Sequence, residues 1–328
     1  MAYSSGGLIA ATDYNNFVGT ATEAGTLNYV WSTGNGQFGY GQSTVSQAAA
    51  ANGTITAAQW ATLINTLNSA RTHQSGSGTG ISATTAGAVI TYLATLSSSI
   101  STLNSNKLTF ATQGTTVTGT TISPNFTAVN QTAASTFTIT RTCTFSSGDA
   151  ARYFFNAGGQ LNFIVSSATN NDSTNRSGDL VTLAATNLAG YTAFRAASGG
   201  GRTGTGATLN TNATAIGYYN LTTSNQTLVS ITSTTANYTS DTAVLSVKSN
   251  GVQGANADVG TVVTFTLVLT SAAQPAAAAP PGAGPGGSAP VNNTSVNDSI
   301  NITVNHRIDV VPPESTNLTS SWGSVTIA

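Results

Sequence analysis

The chain has 328 residues and a mass of 32.9 kDa, with 34 glycines and only 6% charged residues, where an ordinary soluble domain carries roughly 25%. Two lysines and seven arginines stand against ten acids, for a formal net charge of −1. This excludes a basic, counterion-displacing nucleic-acid surface and charge-driven disorder, and it leaves few side chains for acid–base or metal chemistry.

Cys143 is the only cysteine, so no intrachain disulfide or cysteine-based zinc site is possible. The opening MAYSSGGLIAATDYNNF has neither a basic start nor a long apolar run, and no cleaved signal peptide is expected. The longest apolar stretch, VVTFTLVLT at 262–270, is strand-length, so no membrane insertion is expected. A near-neutral surface rich in Thr, Asn and Ser suits assembled, extracellular material. Release by cell lysis would reconcile that surface with synthesis in a cytoplasm.

Residues 1–106 read as helical. Thr12 or Asp13 is the expected cap of a first helix with Tyr14, Phe17 and Val18 on its apolar side. The Gly-rich string YVWSTGNGQFGYGQ (29–42) follows as a loop. Thr56-Ala57-Ala58-Gln59 fits a capping box, and Trp60, Leu63, Ile64, Leu67 and Arg71 then recur at helical spacing up to about His73-Gln74. A third helix is expected over 83–104. Its apolar residues Val89, Leu93, Leu96, Ile100 and Leu103 step by 4, 3, 4, 3, the rhythm of a coiled-coil seam. Two readings stand: one helix of a small bundle, or a self-assembling helix at a symmetry axis.

From about 107 the period becomes two. In STFTITRTCTF (135–145) Phe137, Ile139, Arg141, Cys143 and Phe145 alternate with threonines, as in a half-buried antiparallel strand. Similar strands are expected at 160–165, 228–232, 243–247, 262–269 and 300–304. The resulting expectation is an α+β protein: a helical region (1–106), an antiparallel β-sandwich or jelly roll (107–271), a Pro/Gly/Ala linker (272–290) and C-terminal strands (291–328). Those last strands complete the same sheet or that of a neighbouring subunit, since the linker could span roughly 60 Å as polyproline II. Between two strands, SSGDAARYFFNAGGQ (146–160) predicts one helical turn capped by Ser147 or Asp149, with Phe154-Phe155 plugging one end of the sandwich.

No residue set points to a reaction, and no catalytic, cofactor or metal site is expected. His73 reads as a helix-end residue. His306 lies beside Arg307 and Asp309, which share a strand face and suggest a surface ion pair. Asp172 and Asp179 flank NNDSTNRSGD, which lacks the EF-hand pattern and reads as a polar loop. Arg141 points where the core should be and requires a partner, either an acid such as Asp149 or a subunit interface, the latter favoured. Tyr191, Tyr218, Tyr219 and Trp322 are candidate aromatic platforms for glycan contact, with core packing as the alternative.

LIAATDYNNFVG, GQFGYGQ, ITAAQWATLINTLNSARTHQ, ARYFFNAGGQLNF, GYYNLTTSNQTL and the closing SSWG together resemble virion structural proteins of marine tailed phages, cyanophages especially. The likeness is spread over about residues 1–270. It implies a tail-fibre-like particle component without enzymatic activity, assembling with its own copies and other virion proteins and localised to the virion. Alternatives are a capsid-decorating or tail-tube subunit, a host-glycan receptor-binding module, and a hydrolase of envelope sugars, which the charge inventory disfavours.

Overall fold

The computed structural model describes residues 10–48, 55–83, 85–87, 89–129, 133–191, 193–273 and 299–328. It contains helices and antiparallel sheets, so the chain is α+β. The first helix, α1 (Ala11–Val18), buries Tyr14, Phe17 and Val18. Its cap is neither Thr12 nor Asp13. Ala10 is the N-cap, and Asp13, three residues on, accepts the Ala10 N–H at 3.0 Å. A short α2 (Leu27–Trp31) follows. The α3 helix (Ala57–Ser75) starts on the expected capping box: Thr56 Oγ1 accepts from Gln59 N at 3.2 Å, and Gln59 Oε1 accepts from Thr56 N at 2.9 Å. It ends at Gly76, which takes the left-handed conformation.

The next helix, α4 (Leu93–Ser105), is shorter than the sequence predicts. Gly87 has a positive φ, and Val89, Ile90 and Thr91 are β-branched, so this stretch favours helix poorly. Val89 is therefore outside the helix and 78% exposed, and Leu93 is only half-buried. Leu96, Ile100 and Leu103 are buried within the chain, where α4 packs on α2 and α3. The heptad rhythm is used inside the bundle, and the five residues form no continuous exposed seam.

Among the described residues, ten strands form two antiparallel sheets. In the six-stranded sheet, β2 (Ser135–Thr144) pairs with β8 (Val262–Ser271), which pairs with β7 (Thr242–Ser249), then β6 (Gln226–Thr232) and β5 (Thr208–Asn212). The β2 alternation is as predicted: Phe137, Ile139, Arg141 and Cys143 are buried, whereas Thr138 and Thr140 are exposed. The four-stranded sheet runs β1 (Asn125–Ala128), β9 (Ile300–Val311), β3 (Gln160–Asn170), β4 (Ala193–Phe194). Aromatic rings join the two sheets: Phe163 of β3 and Phe194 of β4 lie 5.9 and 5.6 Å from Phe265 of β8, and Phe126 of β1 lies 5.2 Å from Phe137 of β2.

The C-terminal strands divide between the sheets and do not complete one. β9 is the inner strand between β1 and β3, whereas β10 (Thr326–Ile327) pairs with β2. The predicted linker falls mostly on 274–298, outside the described residues. All described strands lie after the boundary expected at 106/107, but so do two further α-helices, and one hydrophobic cluster runs across it from Ala11 to Trp322. Among the described residues no helix is long and apolar enough to cross a membrane.

Phe265 is fully buried and touches rings from two strands of the opposite sheet. Phe265→Ala should lower unfolding free energy by about 3–5 kcal/mol in urea titration.

Candidate functional site

The densest polar site joins the helical region to the sheets, and α5 (Gly148–Asn156) builds it. Ser147 caps this helix by accepting from Ala150 N at 3.0 Å. That choice leaves Asp149 free to accept from Arg152 Nη2 at 3.0 Å and from Ala257 N at 3.2 Å. With nine residues the helix is longer than the single turn predicted. Its inner face carries Arg152 and Asn156, both 0% exposed.

These two side chains bind the Gly-rich loop. Arg152 Nη1 donates to Phe38 O at 2.7 Å. Asn156 Nδ2 lies 3.2, 3.0 and 3.1 Å from the carbonyl oxygens of Gly36, Phe38 and Gly39. The Tyr219 hydroxyl lies between Asn156 Oδ1 and Gly36 O, with one proton for two acceptors. Turning these carbonyls toward α5 requires an unusual backbone. Gly39 has φ +96°, and a Cβ there would lie 2.0 Å from Thr33 O. Farther along the loop, buried Gln42 donates to Tyr40 O and Thr319 O, each at 2.9 Å, and accepts from Thr319 N at 2.8 Å. Beside the joint, Phe155 stacks on Tyr218 at 4.5 Å and meets Phe194 edge-on, and Phe154 packs on Phe145 at 5.3 Å. The aromatic pair is thus buried in the core.

This packing removes the predicted glycan platforms. Tyr218, Tyr191 and Trp322 are 1%, 4% and 3% exposed, and the Tyr219 hydroxyl is committed to the joint. Arg141 is also inward, and its partner within the chain is not Asp149. Its Nε donates to Ala328 O at 3.1 Å, the same oxygen that accepts from Thr142 N. His73 is in the last turn of α3, as expected, but its side chain faces inward, and so does that of His306. His73 is fully buried, with Nδ1 3.1 Å from Glu314 Oε1. Burial pushes its pKa down, while main-chain N–H groups of Thr316 and Asn317 help hold the Glu314 carboxyl below its usual range. The pair is therefore a neutral imidazole donating from Nδ1 to a carboxylate. His306 is 2% exposed and stacks on Phe163. Arg307 and Asp309 form the ion pair that their shared parity predicts, at 2.9 Å.

A second polar cluster has no sequence signature. It centres on α6 (Asn175–Val181), which is capped by Thr174. Arg176, 0% exposed, donates to Ser271 Oγ and Ala272 O at the end of β8. Asp241, 0% exposed, accepts from the same Ser271 Oγ at 2.9 Å and from Ala272 N at 2.8 Å. Asp179 accepts from Ser233 Oγ at 2.6 Å. Burial pushes the Asp241 carboxyl up to about 6, and the Asp179 charge adds to that push. Two acids and one guanidinium, none more than 4% exposed, cannot meet a substrate without unfolding; they hold strands together. Asp172 reads as the expected polar loop, accepting from Thr174 N at 3.1 Å and Ser299 Oγ at 3.0 Å. Among the described residues no group of three or more His, Cys, Asp or Glu could hold a metal ion.

Asn156→Ala should destabilise by about 1–3 kcal/mol, because Gly39 O loses its side-chain donor in a buried site, while Phe38 O keeps Arg152 and Gly36 O keeps the Tyr219 hydroxyl. Hydrogen exchange should rise first across residues 32–42. Asp241 has a folded pKa above its unfolded value of 3.8. The folded state thus binds the extra proton, and stability falls as pH rises from about 4 through about 6. Asn mimics the protonated acid, so the stability of wild type relative to Asp241→Asn should drop by roughly 1–3 kcal/mol over that window. A pH-independent difference in urea titrations would contradict this assignment.

No family model, curated protein or solved structure matches the chain.

Proposed function

We propose that the chain is a non-enzymatic structural subunit of a tailed-phage virion, a tail or neck appendage built on a β-sandwich and packed against copies of itself and other virion proteins. The observation that carries this reading is the outer face of the six-stranded sheet. Across it, Thr140 of β2 is opposite Thr266 of β8, which is opposite Ser246 of β7, and Thr142 is opposite Thr264, which is opposite Lys248. Thr138, Val268 and Val244 continue the row. The row is hydroxyl-rich and carries a single charge, Lys248, among these nine residues; Thr138 and Thr140 at its β2 side are exposed, Thr142, Val244, Lys248 and Val268 are half-buried, and Ser246, Thr264 and Thr266 are buried. Such a surface suits side-by-side stacking of identical subunits, where like charges would repel.

The charge distribution supports the same reading. Among the described residues seven charged side chains are buried: Arg141, Arg152, Arg176, Asp179, Asp241, Asp309 and Glu314. In most proteins these residue types are almost never fully buried and are spent on solubility. Here they are spent on internal joints, which leaves an even more neutral exterior. The motifs that resemble virion proteins also meet one another: GQFGYGQ is bound by ARYFFNAGGQLNF and GYYNLTTSNQTL at Asn156 and Tyr219. They are the joint of a rigid subunit.

Sedimentation of the purified chain should show a homo-oligomer of defined size. The double substitution Thr138→Lys, Thr140→Lys adds two charges per subunit at exposed positions and should shift it to monomer, with thermal unfolding changed by only a few degrees. A wild-type chain that stays monomeric at high concentration and is missing from purified particles would overturn the reading.

A further inference from the structure

A groove of about 510 Å³ lies between α3 and the extended segment 42–46, and its lining includes Gln42 and Thr319 from the far end of the joint. That volume falls in the range of small-ligand sites. Among the described residues, no charged side chain lines it. One wall is the outer face of α3, with Gln59, Thr62 and Thr66; the other carries Ser43, Thr44 and Ser46. Half-buried Trp31 is also part of the lining. Trp31 is the one tryptophan with an accessible surface, since Trp60 and Trp322 are 2% and 3% exposed.

The frame is fixed in advance. The Tyr14 hydroxyl, 3.2 Å from both Ser46 O and Gln59 O, bridges the two walls. Trp31 Nε1 donates to Ser43 O at 3.0 Å, which pins the indole. The hydroxyls of Ser43, Thr44, Ser46 and Thr66 make no hydrogen bond among the described residues, so both walls offer donors and acceptors to a ligand.

We infer that this groove binds a neutral oligosaccharide. A sugar presents hydroxyls that exchange hydrogen bonds with serine, threonine and glutamine, and C–H faces that pack on an indole. Phosphate, sulfate and carboxylate ligands would find no cation here, and a purely apolar ligand would strand the wall hydroxyls. Because the walls are already tied together, little ordering cost opposes binding. The inference does not depend on the structural role. A subunit that binds no sugar can still assemble, and a monomer can still bind sugar.

The test is titration of the full chain with short, neutral gluco-, manno- and N-acetylglucosamine oligosaccharides. It is followed by tryptophan fluorescence and calorimetry, with uronic-acid oligosaccharides of equal length as the charged comparison. At least one neutral sugar should give a saturable fluorescence shift and heat at up to millimolar concentration, and the uronic acids should bind about tenfold more weakly or not at all. Trp31→Ala should abolish the response. Thr62 is exposed and its side chain bonds only the Ala58 carbonyl of its own helix, so Thr62→Trp should fill the groove and abolish binding without lowering thermal stability. The inference is overturned if no neutral sugar gives a saturable response, if binding survives Thr62→Trp, or if the acidic oligosaccharides bind as tightly.

Discussion

The Asn156 carboxamide is the constraint on which the architecture turns. From the inner face of α5 its amide nitrogen lies within reach of three carbonyls of the Gly-rich loop, while its oxygen meets Tyr219. Loop carbonyls buried without partners would cost about 1–3 kcal/mol each. The loop can therefore enter the interior only if α5 is in place, and α5 is in place only if Ser147 caps it where β2 ends. The helical region, the six-stranded sheet and the loop before β6 thus reach their final positions together.

This coupling explains the sequence around the joint. The glycines of 34–41 supply positive φ angles that let successive carbonyls point one way. Arg152 adds a charged donor to Phe38 O, and its own charge is balanced by Asp149 one turn earlier. Gln42 repeats the logic at the far end of the loop, where it binds the main chain at Thr319 and so brings in residues after β9. Each side chain in the set satisfies main-chain groups that would otherwise need water. In this joint polar side chains serve the packing of the main chain.

The sequence made local structure readable and long-range partnership largely unreadable. The α3 capping box and the β2 alternation are short-range patterns, and both appear as expected. Where a local pattern misled, tertiary packing outweighed it. The heptad steps of α4 are equally the steps of a helix packed on two neighbours, and Val89 fits the rhythm without fitting the helix. Arg141 could be read as buried from its parity, but its partner lies 187 residues away. Asp241 and Arg176 could not be paired at all, since nothing in their spacing marks them. Tyr218 and Trp322 show a general limit: composition identifies an aromatic residue, and only burial decides whether its face meets solvent or core.

The α6 cluster also bears on the C-terminal strands. Arg176 and Asp241 hold Ser271 and Ala272 at the end of β8; Thr174 Oγ1 donates to Ser299 O, and Ser177 Oγ accepts from Asn301 N at the start of β9. The chain therefore leaves one sheet and enters the other at the same short helix. A segment long enough to reach a neighbouring subunit is also long enough to return, and closing it costs only a slowly growing entropy. The contacts that would have to be broken for strand exchange are buried and charged, whereas those gained would be the same contacts made between chains. Exchange thus has no enthalpic drive of its own, and the length of the segment is no argument for it. If the chain assembles as proposed, exposed Thr138 and Thr140 of β2 are a better place to look for the contact than the length of this segment.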